Sequence, residues 1–327
     1  MPTDLDTLSF TEMIQLQTQL GEALKRRFGR HLCLCFTDVV GSTPYFARFG
    51  DAAGRGLQQR HFDLLRAALP VGEGRVVDTA GDGAFAVFPK VEGAAAALIE
   101  FETRVSAQNI TYAREHQLVV RAGLHHGPVL TDGDAVTGDA VNLAARVCAS
   151  GSPGEIRITE AGFRELSPQH RLVCRGIGQV ALKGVTEPVP LMSLEWRDRS
   201  RFASRLKVLE TGEELPIPPQ DTISFGRLRD QGGVQANDVV LQLREREKGL
   251  RISRWHFELR RLAGGFVLRS VTDQSTEVDG LPLTRGEECA LRPDSRVVLA
   301  GVMTIEFQPE VVRQSDEMGA TTGYKDA

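Results

Sequence analysis

Apolar residues follow two different rhythms along this chain, and the rhythm changes near residue 200. In the first part, apolar residues recur every three or four positions in segments that predict helices, and short apolar or alternating runs between them predict strands. The predicted helices cover residues 9–28, 44–69, 92–108, 138–146 and 160–166, and the predicted strands cover 31–36, 75–78, 84–88, 118–124, 129–130, 156–158 and parts of 176–196. This mixture with crossover connections predicts an α+β domain over residues 30–196.

From about residue 203 the pattern changes to short strands separated by turn residues. These strands are predicted over residues 206–209, 222–225, 239–243, 257–260, 266–269, 297–299 and 304–307. Their spacing predicts an all-β sandwich over residues 203–310. The charged run 197–202 is predicted to link the two domains, and the polar segment 311–327 is predicted to be a disordered tail.

Two turns of the first domain each carry one aspartate. Asp38 ends the first predicted strand and is followed by Gly41, Ser42 and Thr43, small residues whose backbone N–H groups can receive phosphate oxygens. Asp82 lies between two glycines in a predicted hairpin. If the turns are neighbours, the two carboxylates form a hard-oxygen site for Mg²⁺ or Mn²⁺ on a triphosphate. The alternative is two aspartates that merely cap turns.

A third segment, residues 138–146, strengthens the first alternative. As a helix it places Asn142 and Arg146 at positions i and i+4, side by side on one face. Together with the motif Arg121-Ala122-Gly123-Leu124-His125-His126-Gly127 before it and Leu182-Lys183-Gly184 after it, the order of motifs resembles the class III nucleotidyl cyclases over roughly residues 30 to 195. This resemblance implies a ferredoxin-like α+β domain that forms a 3′,5′-cyclic nucleotide and pyrophosphate from a nucleoside triphosphate.

The resemblance also assigns roles to the residues that match the cyclase motifs. Asp38, Asp82 and the carbonyl of Val39 are implied to hold two ions, Mg²⁺ or Mn²⁺, in each site. In that family the two carboxylates come from one subunit and the asparagine and arginine from the other. The chain is therefore expected to form a symmetric homodimer with two equivalent sites.

The remaining catalytic roles follow from the same motifs. Arg146 is implied to neutralise charge on the α-phosphoryl group, Asn142 to orient the ribose, and Lys183 to hold the terminal phosphates. Retention of all these residues favours an active enzyme. The alternative is a catalytically weak, dimeric scaffold that acts mainly through its second domain.

The nucleobase is the least determined part of the prediction. Asp78, four residues before Asp82, replaces the lysine typical of adenylyl cyclases and the glutamate typical of guanylyl cyclases, and it can only accept hydrogen bonds when ionised. Ala135, at the second selectivity position, can make no side-chain hydrogen bond. GTP is therefore the expected substrate, with ATP or a pyrimidine nucleotide as alternatives.

The second domain carries the motifs Phe225-Gly226-Arg227, Asn237-Asp238-Val239, Ser253-Arg254-Trp255-His256 and Val278-Asp279-Gly280, and so resembles a forkhead-associated (FHA) domain. That resemblance implies phosphothreonine binding by Arg227, Ser253 and Arg254, with His256 bracing the loop. A guanidinium and a hydroxyl suit a phosphate dianion. The expected partner is a phosphothreonine protein or the chain's own tail at Thr321-Thr322.

One FHA motif departs from the family pattern. Where the family usually has Ser-x-Asn-Gly-Thr, this chain has Thr272-Asp273-Gln274-Ser275-Thr276. Gln274 replaces an asparagine that grips the partner's backbone, and Asp273 adds a negative charge near the phosphate pocket. Weakened peptide binding is expected, and a purely structural module is the alternative.

Residues 1–29 are predicted to contain an amphipathic helix. Ser9 and Glu12 have the spacing of a capping box, and apolar residues follow at mostly helical spacing. One interpretation is that the helix packs on its own domain. The other is that it pairs two subunits, as helices that precede the catalytic domain often do in the cyclase family. Both alternatives are open on the sequence.

Composition narrows the list of partners. With 39 basic and 43 acidic residues, the formal charge of -4 offers no broad basic face for nucleic acid or an anionic membrane. No apolar run reaches the ~20 residues of a membrane span, so a cytoplasmic protein is expected. The five cysteines form no Cys-x-x-Cys pair and are expected to be buried thiols.

Overall fold

The computed structural model of the protein describes residues 8–218, 220–232, 234–262 and 264–309. The chain forms two compact units, Met1–Arg197 and Asp198–Ala327. The predicted succession of an α+β domain and an all-β sandwich is confirmed. The predicted disordered tail, with Thr321 and Thr322, lies outside the described residues.

The first unit alternates helices with the strands of a single sheet. Its elements are α1 (Phe10–Phe28), β1 (Gly29–Val39), α2 (Ser42–Ala68), β2 (Arg75–Ala80), β3 (Gly83–Phe88), α3 (Val91–Asn109), β4 (Val120–Thr131), β5 (Val136–Thr137), α4 (Asp139–Ala149), β6 (Ile156–Thr159), α5 (Glu160–Phe163), α6 (Pro168–Leu172), β7 (Cys174–Val180) and β8 (Val189–Leu194). The sheet has the order β2-β3-β1-β4-β6-β8-β7, with β5 added to β4. Strand β1 is central and antiparallel to both of its neighbours, β3 and β4.

One predicted break in this sheet is wrong. The sequence predicts separate strands at 118–124 and 129–130, but the structure has one strand, β4, that runs from Val120 to Thr131. Strand β1 pairs with β4 along its full length, from Gly29 opposite Leu130 to Val39 opposite Val120. This continuous ladder of backbone hydrogen bonds outweighs the local turn tendency of the His-His-Gly-Pro segment.

The two faces of the sheet carry separate apolar cores. Helices α2 and α3 cover one face, where Leu65, Leu98 and Phe101 pack with Cys33 and Cys35 of β1. The other face meets α4, where the alternate residue Leu34 packs with Phe85, Ala140 and Ala144. Helix α4 lies very close to β4, since a Cβ on Gly123 would come within 2.3 Å of the backbone nitrogen of Cys148.

Helix α2 begins two residues earlier than predicted. Gly41 adopts a left-handed conformation with φ of 75°, and Ser42 and Thr43 form the first helical turn rather than a loop. Gly50, with φ of 83°, interrupts the helix before it continues to Ala68. The chain therefore turns sharply at Gly41, directly after the strand that carries Asp38.

Helix α1 has the predicted capping box between Ser9 and Glu12. None of its residues is buried, and five large apolar side chains point to solvent: Phe10, Met13, Ile14, Leu20 and Leu24. The described unit therefore leaves the apolar stripe of α1 uncovered.

The second unit is built from two sheets and one short helix. Its elements are β9 (Ala203–Val208), β10 (Glu214–Pro216), β11 (Thr222–Gly226), β12 (Asp230–Gln231), β13 (Val234–Gln235), β14 (Val239–Val240), α7 (Arg246–Arg251), β15 (Phe257–Leu262), β16 (Gly265–Ser270), β17 (Thr276–Val278), β18 (Leu281–Leu283), β19 (Glu288–Leu291), β20 (Arg296–Leu299) and β21 (Met303–Pro309). The sheets have the orders β10-β9-β21-β20-β17-β18 and β14-β11-β15-β16-β19 and enclose one apolar core, while β12 and β13 form a separate small hairpin.

Two local predictions for this unit differ from the structure. The strand predicted at 239–243 is only Val239–Val240, because it pairs with β11 at two positions before the chain leaves the sheet, and the following helix α7 was not predicted. Phe202, placed in the predicted linker, is buried in the core of the second unit.

Two further expectations concern the surface and the thiols. None of the described helices is long and apolar enough to cross a membrane. Cys33, Cys35 and Cys148 are buried, whereas Cys174 and Cys289 are partly exposed. Burial raises the pKa of the Cys148 thiol to about 12, so this thiol is uncharged and unreactive at neutral pH.

Candidate functional site

The two aspartate turns lie side by side. Strand β1 pairs with β3 up to Thr37 opposite Ala84, so the hairpin that carries Asp82 meets the end of β1 that carries Asp38. A Cβ on Gly83 would lie 3.4 Å from the backbone oxygen of Thr37 and 3.9 Å from Oδ1 of Asp38. The sequence alone could only suppose this proximity, which the antiparallel register creates.

Arg121 fixes the orientation of Asp38. It lies directly opposite Asp38 on β4, and its Nε and Nη2 donate to the same oxygen, Oδ2, at 2.9 and 2.5 Å. Its Nη1 donates to the backbone oxygen of Ala149 at the end of α4, at 2.9 Å. The guanidinium therefore occupies one oxygen of Asp38, and the other oxygen, Oδ1, faces the Asp82 hairpin.

The donor set at this edge suits a hard divalent cation. The predicted ligands are the carboxylates of Asp38 and Asp82 and the backbone carbonyl of Val39, the last residue of β1. Among the described residues, no group of three or more His, Cys, Asp or Glu side chains could hold a metal ion. Two carboxylates leave coordination positions for phosphate oxygens and water, as Mg²⁺ prefers. The residues present therefore fit an ion that arrives with a triphosphate.

The first turn of α2 lies next to this edge. Gly41 supplies the sharp turn, and the N–H groups of Ser42 and Thr43 belong to the helix start, where backbone donors have no partner within the helix. Such donors, together with the positive end of the helix dipole, favour an anion.

A cavity of about 630 Å³ opens on the face of the sheet that α4 covers. It is lined by Phe36, Val77, Asp78, Ala80, Gly83, Ala84, Phe85, Asp134, Ala135, Val136 and Val141. The two residues predicted to read the base, Asp78 and Ala135, therefore meet in one cavity although 57 positions separate them in the sequence. The stacked rings of Phe36 and Phe85, 4.6 Å apart, give it an apolar wall suited to a flat ring.

An irregularity in β2 directs Asp78 to this cavity. The register of β2 against β3 shifts between Val76 and Asp78, so the strand bulges at Val77. Both Val77 and Asp78 consequently line the cavity, which regular alternation would not allow. One carboxylate oxygen of Asp78 accepts from the N–H of Thr79 at 2.7 Å.

Helix α4 presents the second group of predicted residues. Asn142 is exposed, and the Nη1 of Arg146 donates to the backbone oxygen of Gly184 at 2.7 Å. Gly184 has φ of 71° and lies against the guanidinium, since a Cβ there would be 3.3 Å from Nη2. This contact brings the loop of the exposed Lys183 next to Arg146.

In the second unit, backbone hydrogen bonds bring together the two loops that carry the predicted phosphate-binding residues. The N–H of Arg227 donates to the oxygen of Ser253 at 3.0 Å, and the N–H of Leu228 donates to the oxygen of Arg254 at 3.3 Å. The two loops touch closely, because a Cβ on Gly226 would lie 2.1 Å from the oxygen of Arg254. The Nε of Arg227 is buried and has no hydrogen-bond partner.

His256 joins two loops of this unit. Its Nδ1 accepts from the N–H of Ser253 at 3.2 Å, and its Nε2 lies 3.2 Å from Oγ1 of Thr276. Burial lowers the pKa of His256 to about 4, so the ring is neutral at pH 7 and can act as this acceptor.

Comparison with known proteins agrees with this geometry. The family model for the adenylate and guanylate cyclase catalytic domain matches residues 25–193, just over half of the 327 residues. The chain belongs to this cyclase family. The model for the FHA domain matches residues 209–300, so both resemblances predicted from the sequence are confirmed.

Individual relatives of the cyclase are distant. Putative adenylate cyclase 3 of Rhizobium meliloti (strain 1021) is 24% identical over 198 residues, which are 61% of this chain and 33% of the relative. A receptor-type adenylate cyclase of Trypanosoma congolense is 26% identical and covers 57% of this chain and 31% of the relative. This chain thus spans about a third of the length of these two curated relatives.

Among solved structures, the crystal structure of an adenylate/guanylate cyclase/hydrolase from Silicibacter pomeroyi is 23% identical. The match covers 51% of this chain and 96% of that one, with a TM-score of 0.46.

Three residues near the cyclase site were not predicted from the sequence. His61 of α2 is completely buried, and its Nε2 lies 2.9 Å from Oγ1 of Thr37, the neighbour of Asp38. Asp134 lines the cavity beside Ala135. Asp132 accepts from the N–H groups of both Asp134 and Ala135, at 3.0 and 2.9 Å. The contact of His61 with Thr37 is long-range, so no local pattern reveals it. The turn that Asp132 makes with Asp134 and Ala135 is local, and an Asp two or three residues before the N–H groups it binds is its only signal in the sequence.

The FHA loop around Gln274 differs from expectation in its electrostatics. Asp273, expected to repel phosphate, pairs with Arg285 at 3.1 Å, which offsets its charge. The sequence predicts no role for Thr272. Its Oγ1 lies 2.5 Å from Oγ of Ser253 and accepts a hydrogen bond from the N–H of Gln274. The loop therefore presents a second hydroxyl beside Ser253, and the side chain of Gln274 stays exposed.

Proposed function

We propose that this protein is a nucleotidyl cyclase that converts a nucleoside triphosphate into a 3′,5′-cyclic nucleotide and pyrophosphate. The observation that carries the proposal is the hairpin register that places the Asp82 turn against Asp38, with Oδ1 of Asp38 facing that turn. Two divalent ions bound there would acidify the attacking 3′-hydroxyl and neutralise the leaving triphosphate. The start of α2 at Ser42 and Thr43 offers N–H groups to phosphate oxygens.

The remaining groups act on the phosphoryl and the ribose. Arg146 stabilises negative charge on the α-phosphoryl group through its guanidinium, and Lys183 binds the terminal phosphates. Asn142, one turn before Arg146 on the exposed side of α4, orients the ribose so that its hydroxyl is in line with the α-phosphorus. Retention of these three residues supports catalysis over the alternative of a scaffold with little activity.

The active site is shared between two copies of the chain. Within one chain Asp38 is paired with Arg121, whereas Arg146 is bound to the oxygen of Gly184. In the proposed dimer, each site takes Asp38 and Asp82 from one chain and Asn142 and Arg146 from the other. The uncovered apolar stripe of α1 supports the same homodimer, in which two equivalent sites form.

The base that the cavity favours is guanine. Asp78 and Asp134 are carboxylates that only accept hydrogen bonds when ionised, and guanine presents an N–H and an amino group on one edge. Adenine would need a donor for its ring nitrogen, and no side chain of the lining supplies one. ATP and the pyrimidine nucleotides are the competing substrates.

A product assay tests this function directly. The purified full chain is incubated with each of the four ribonucleoside triphosphates and Mn²⁺, and the product is identified by mass. The expected product is cyclic GMP, formed faster than the other three. Asp82→Ala is expected to abolish it, while the matched variant Asp51→Ala, at an exposed position of α2, retains it. Absence of every cyclic product from folded, dimeric protein contradicts the proposal.

The FHA domain is proposed to bind phosphothreonine peptides. Arg227, Ser253 and Arg254 are held together by backbone hydrogen bonds, and the buried Nε of Arg227 has an unused N–H. Gln274 contacts the peptide backbone, and His256 keeps Ser253 in place. Docking of a phosphothreonine protein, or of the chain's own Thr321-Thr322 segment, then alters cyclase output.

Calorimetry with a phosphothreonine peptide library tests this second activity. Arg227→Ala is expected to abolish binding, whereas Arg229→Ala, an exposed arginine two residues further, leaves it unchanged. Cyclase rates measured with and without the bound peptide show whether docking is regulatory. If no peptide binds the wild type, the module is structural only.

A further inference from the structure

His61 lies beneath the two metal-binding turns, on the opposite face of the sheet. It is fully buried in α2, and its ring packs against Phe62 and Phe101 at centroid distances of 5.1 and 5.7 Å. Successive residues of a strand point to opposite faces, so Thr37 projects toward α2 while its neighbour Asp38 projects toward the catalytic side. His61 thus reaches β1 from behind the site.

The two nitrogens of the His61 ring have different surroundings. Nε2 lies 2.9 Å from Oγ1 of Thr37. Nδ1 is also buried and has no hydrogen-bond partner. The backbone of Asp82 lies near enough to the ring to influence its charge. Because burial lowers the pKa of His61 to about 4, the neutral ring has one N–H and one acceptor nitrogen. If the Thr37 hydroxyl donates to Nε2, the proton of the neutral ring lies on Nδ1.

We propose that His61 is a positioning residue that couples the two metal-binding turns and sets their separation. The inference rests on the proposed function, in which Asp38 and Asp82 hold divalent ions. One ring contacts the residue before the first aspartate and lies near the backbone of the second, so a shift of either turn changes the surroundings of the same side chain. Groups that orient ligands in this way typically change metal affinity by about 10- to 100-fold when removed.

His125 provides a matched control within the same sheet. It is a nearly buried histidine of β4, its Nδ1 lies 2.9 Å from Oγ1 of Thr159, and burial lowers its pKa to about 4 as well. Its hydrogen bond ties β4 to β6 and does not reach Thr37 or Asp82. A purely structural role would make the two histidines equivalent, whereas the proposal separates them.

The experiment measures metal binding without turnover. Full-length wild-type protein is titrated with Mn²⁺ in the presence of each of the four 3′-deoxynucleoside triphosphates, which lack the attacking hydroxyl, and free Mn²⁺ is followed by electron paramagnetic resonance. The variants are His61→Leu, His61→Asn, Thr37→Val and His125→Leu. Asn keeps a polar group near the Nδ1 position, and Thr37→Val removes only the hydroxyl with little change of shape.

Relative to wild type, His61→Leu is expected to weaken Mn²⁺ binding about 10- to 100-fold, and Asn is expected to recover part of this loss. Thr37→Val is expected to weaken it by a smaller factor, and His125→Leu to leave it within about twofold. If His61→Leu does not fold, Thr37→Val and His61→Asn decide the question. The inference is overturned if Thr37→Val and His61→Asn both bind Mn²⁺ with wild-type affinity. It is also overturned if His125→Leu loses as much Mn²⁺ affinity as the His61 variants do. A wild type that retains no Mn²⁺ with any nucleotide overturns the proposed function itself.

Discussion

Arg121 donates two N–H groups of its guanidinium to a single carboxylate oxygen of Asp38. About a quarter to a third of each side chain is exposed, so solvent screens the pair only in part. The third nitrogen of the guanidinium, Nη1, donates to the backbone oxygen of Ala149 at the end of α4. One side chain therefore links the carboxylate of the first turn to the helix that carries Asn142 and Arg146.

Replacing Arg121 with Ala is expected to weaken the binding of the metal ion that catalysis requires. Asp38 would lose the partner that fixes its rotamer, and we expect the Mn²⁺ concentration for half-maximal rate to rise about 10-fold or more. Arg121→Lys keeps the charge without the two-pronged bond and is expected to recover only part of the loss. If Arg121→Ala instead binds Mn²⁺ more tightly, the guanidinium competes with the ion rather than orienting its ligand.

Two inactive variants are expected to complement each other. Asp82→Ala removes a metal ligand and Arg146→Ala removes the phosphoryl contact, so each homodimer has two defective sites. A mixed dimer rebuilds one intact site, and up to about half of the wild-type rate per mixed dimer should return. The measurement is cyclase activity of the mixture against each variant alone, after subunit exchange has been verified by differently tagged chains. A mixture that exchanges yet stays inactive shows that both groups act within one chain.

The carboxylates of the cavity are expected to set base preference. Asp78→Lys places a donor against guanine's own donors, and the unpaired groups should cost about 1 to 3 kcal/mol in GTP turnover. Asp134→Asn should reduce GTP turnover less, because the amide keeps an acceptor oxygen. The measured quantity is the ratio of kcat/KM for GTP and ATP in each variant. A wild type that makes cyclic AMP much faster than cyclic GMP refutes the guanine assignment.

Acid is expected to destabilise the FHA domain through His256. The folded-state pKa of about 4 lies below the ordinary value near 6.5, so the unfolded chain binds the proton more tightly. The stabilisation is fully present above about pH 6.5 and is lost as the pH falls toward 4, by at most about 3 kcal/mol. His256→Gln should show a smaller loss between pH 7.5 and 5.

The chain offers a way to follow this domain alone. It has two tryptophans, Trp196 in the first unit and Trp255 in the second, so Trp196→Phe leaves a single fluorescent reporter near His256. Urea unfolding of Trp196→Phe, with and without His256→Gln, gives the two free energies of unfolding at each pH. Equal pH dependence in both proteins would mean that other groups cause the acid sensitivity.

The sequence by itself determined the parts of this protein that are written in short stretches of chain. Strand and turn residues around Asp38 and Asp82, the helical spacing of Asn142 and Arg146, and the switch to short strands near residue 203 are local patterns. Each pattern reflects the backbone preferences of a few neighbouring residues, and these preferences predict the local structure without any contact from the rest of the molecule. The cyclase and FHA resemblances are combinations of such local patterns in a fixed order.

Tertiary structure alone decided what depends on residues far apart in the chain. The unbroken strand β4 exists because β1 pairs with it along its whole length, and Asp78 enters the cavity through a bulge against β3. The partners His61 and Thr37 are separated by 24 positions, and Asp273 and Arg285 by 12. A lone histidine on a helix or a charged residue in a loop has no local pattern that reveals its partner, because packing and register, rather than backbone preference, bring such groups together.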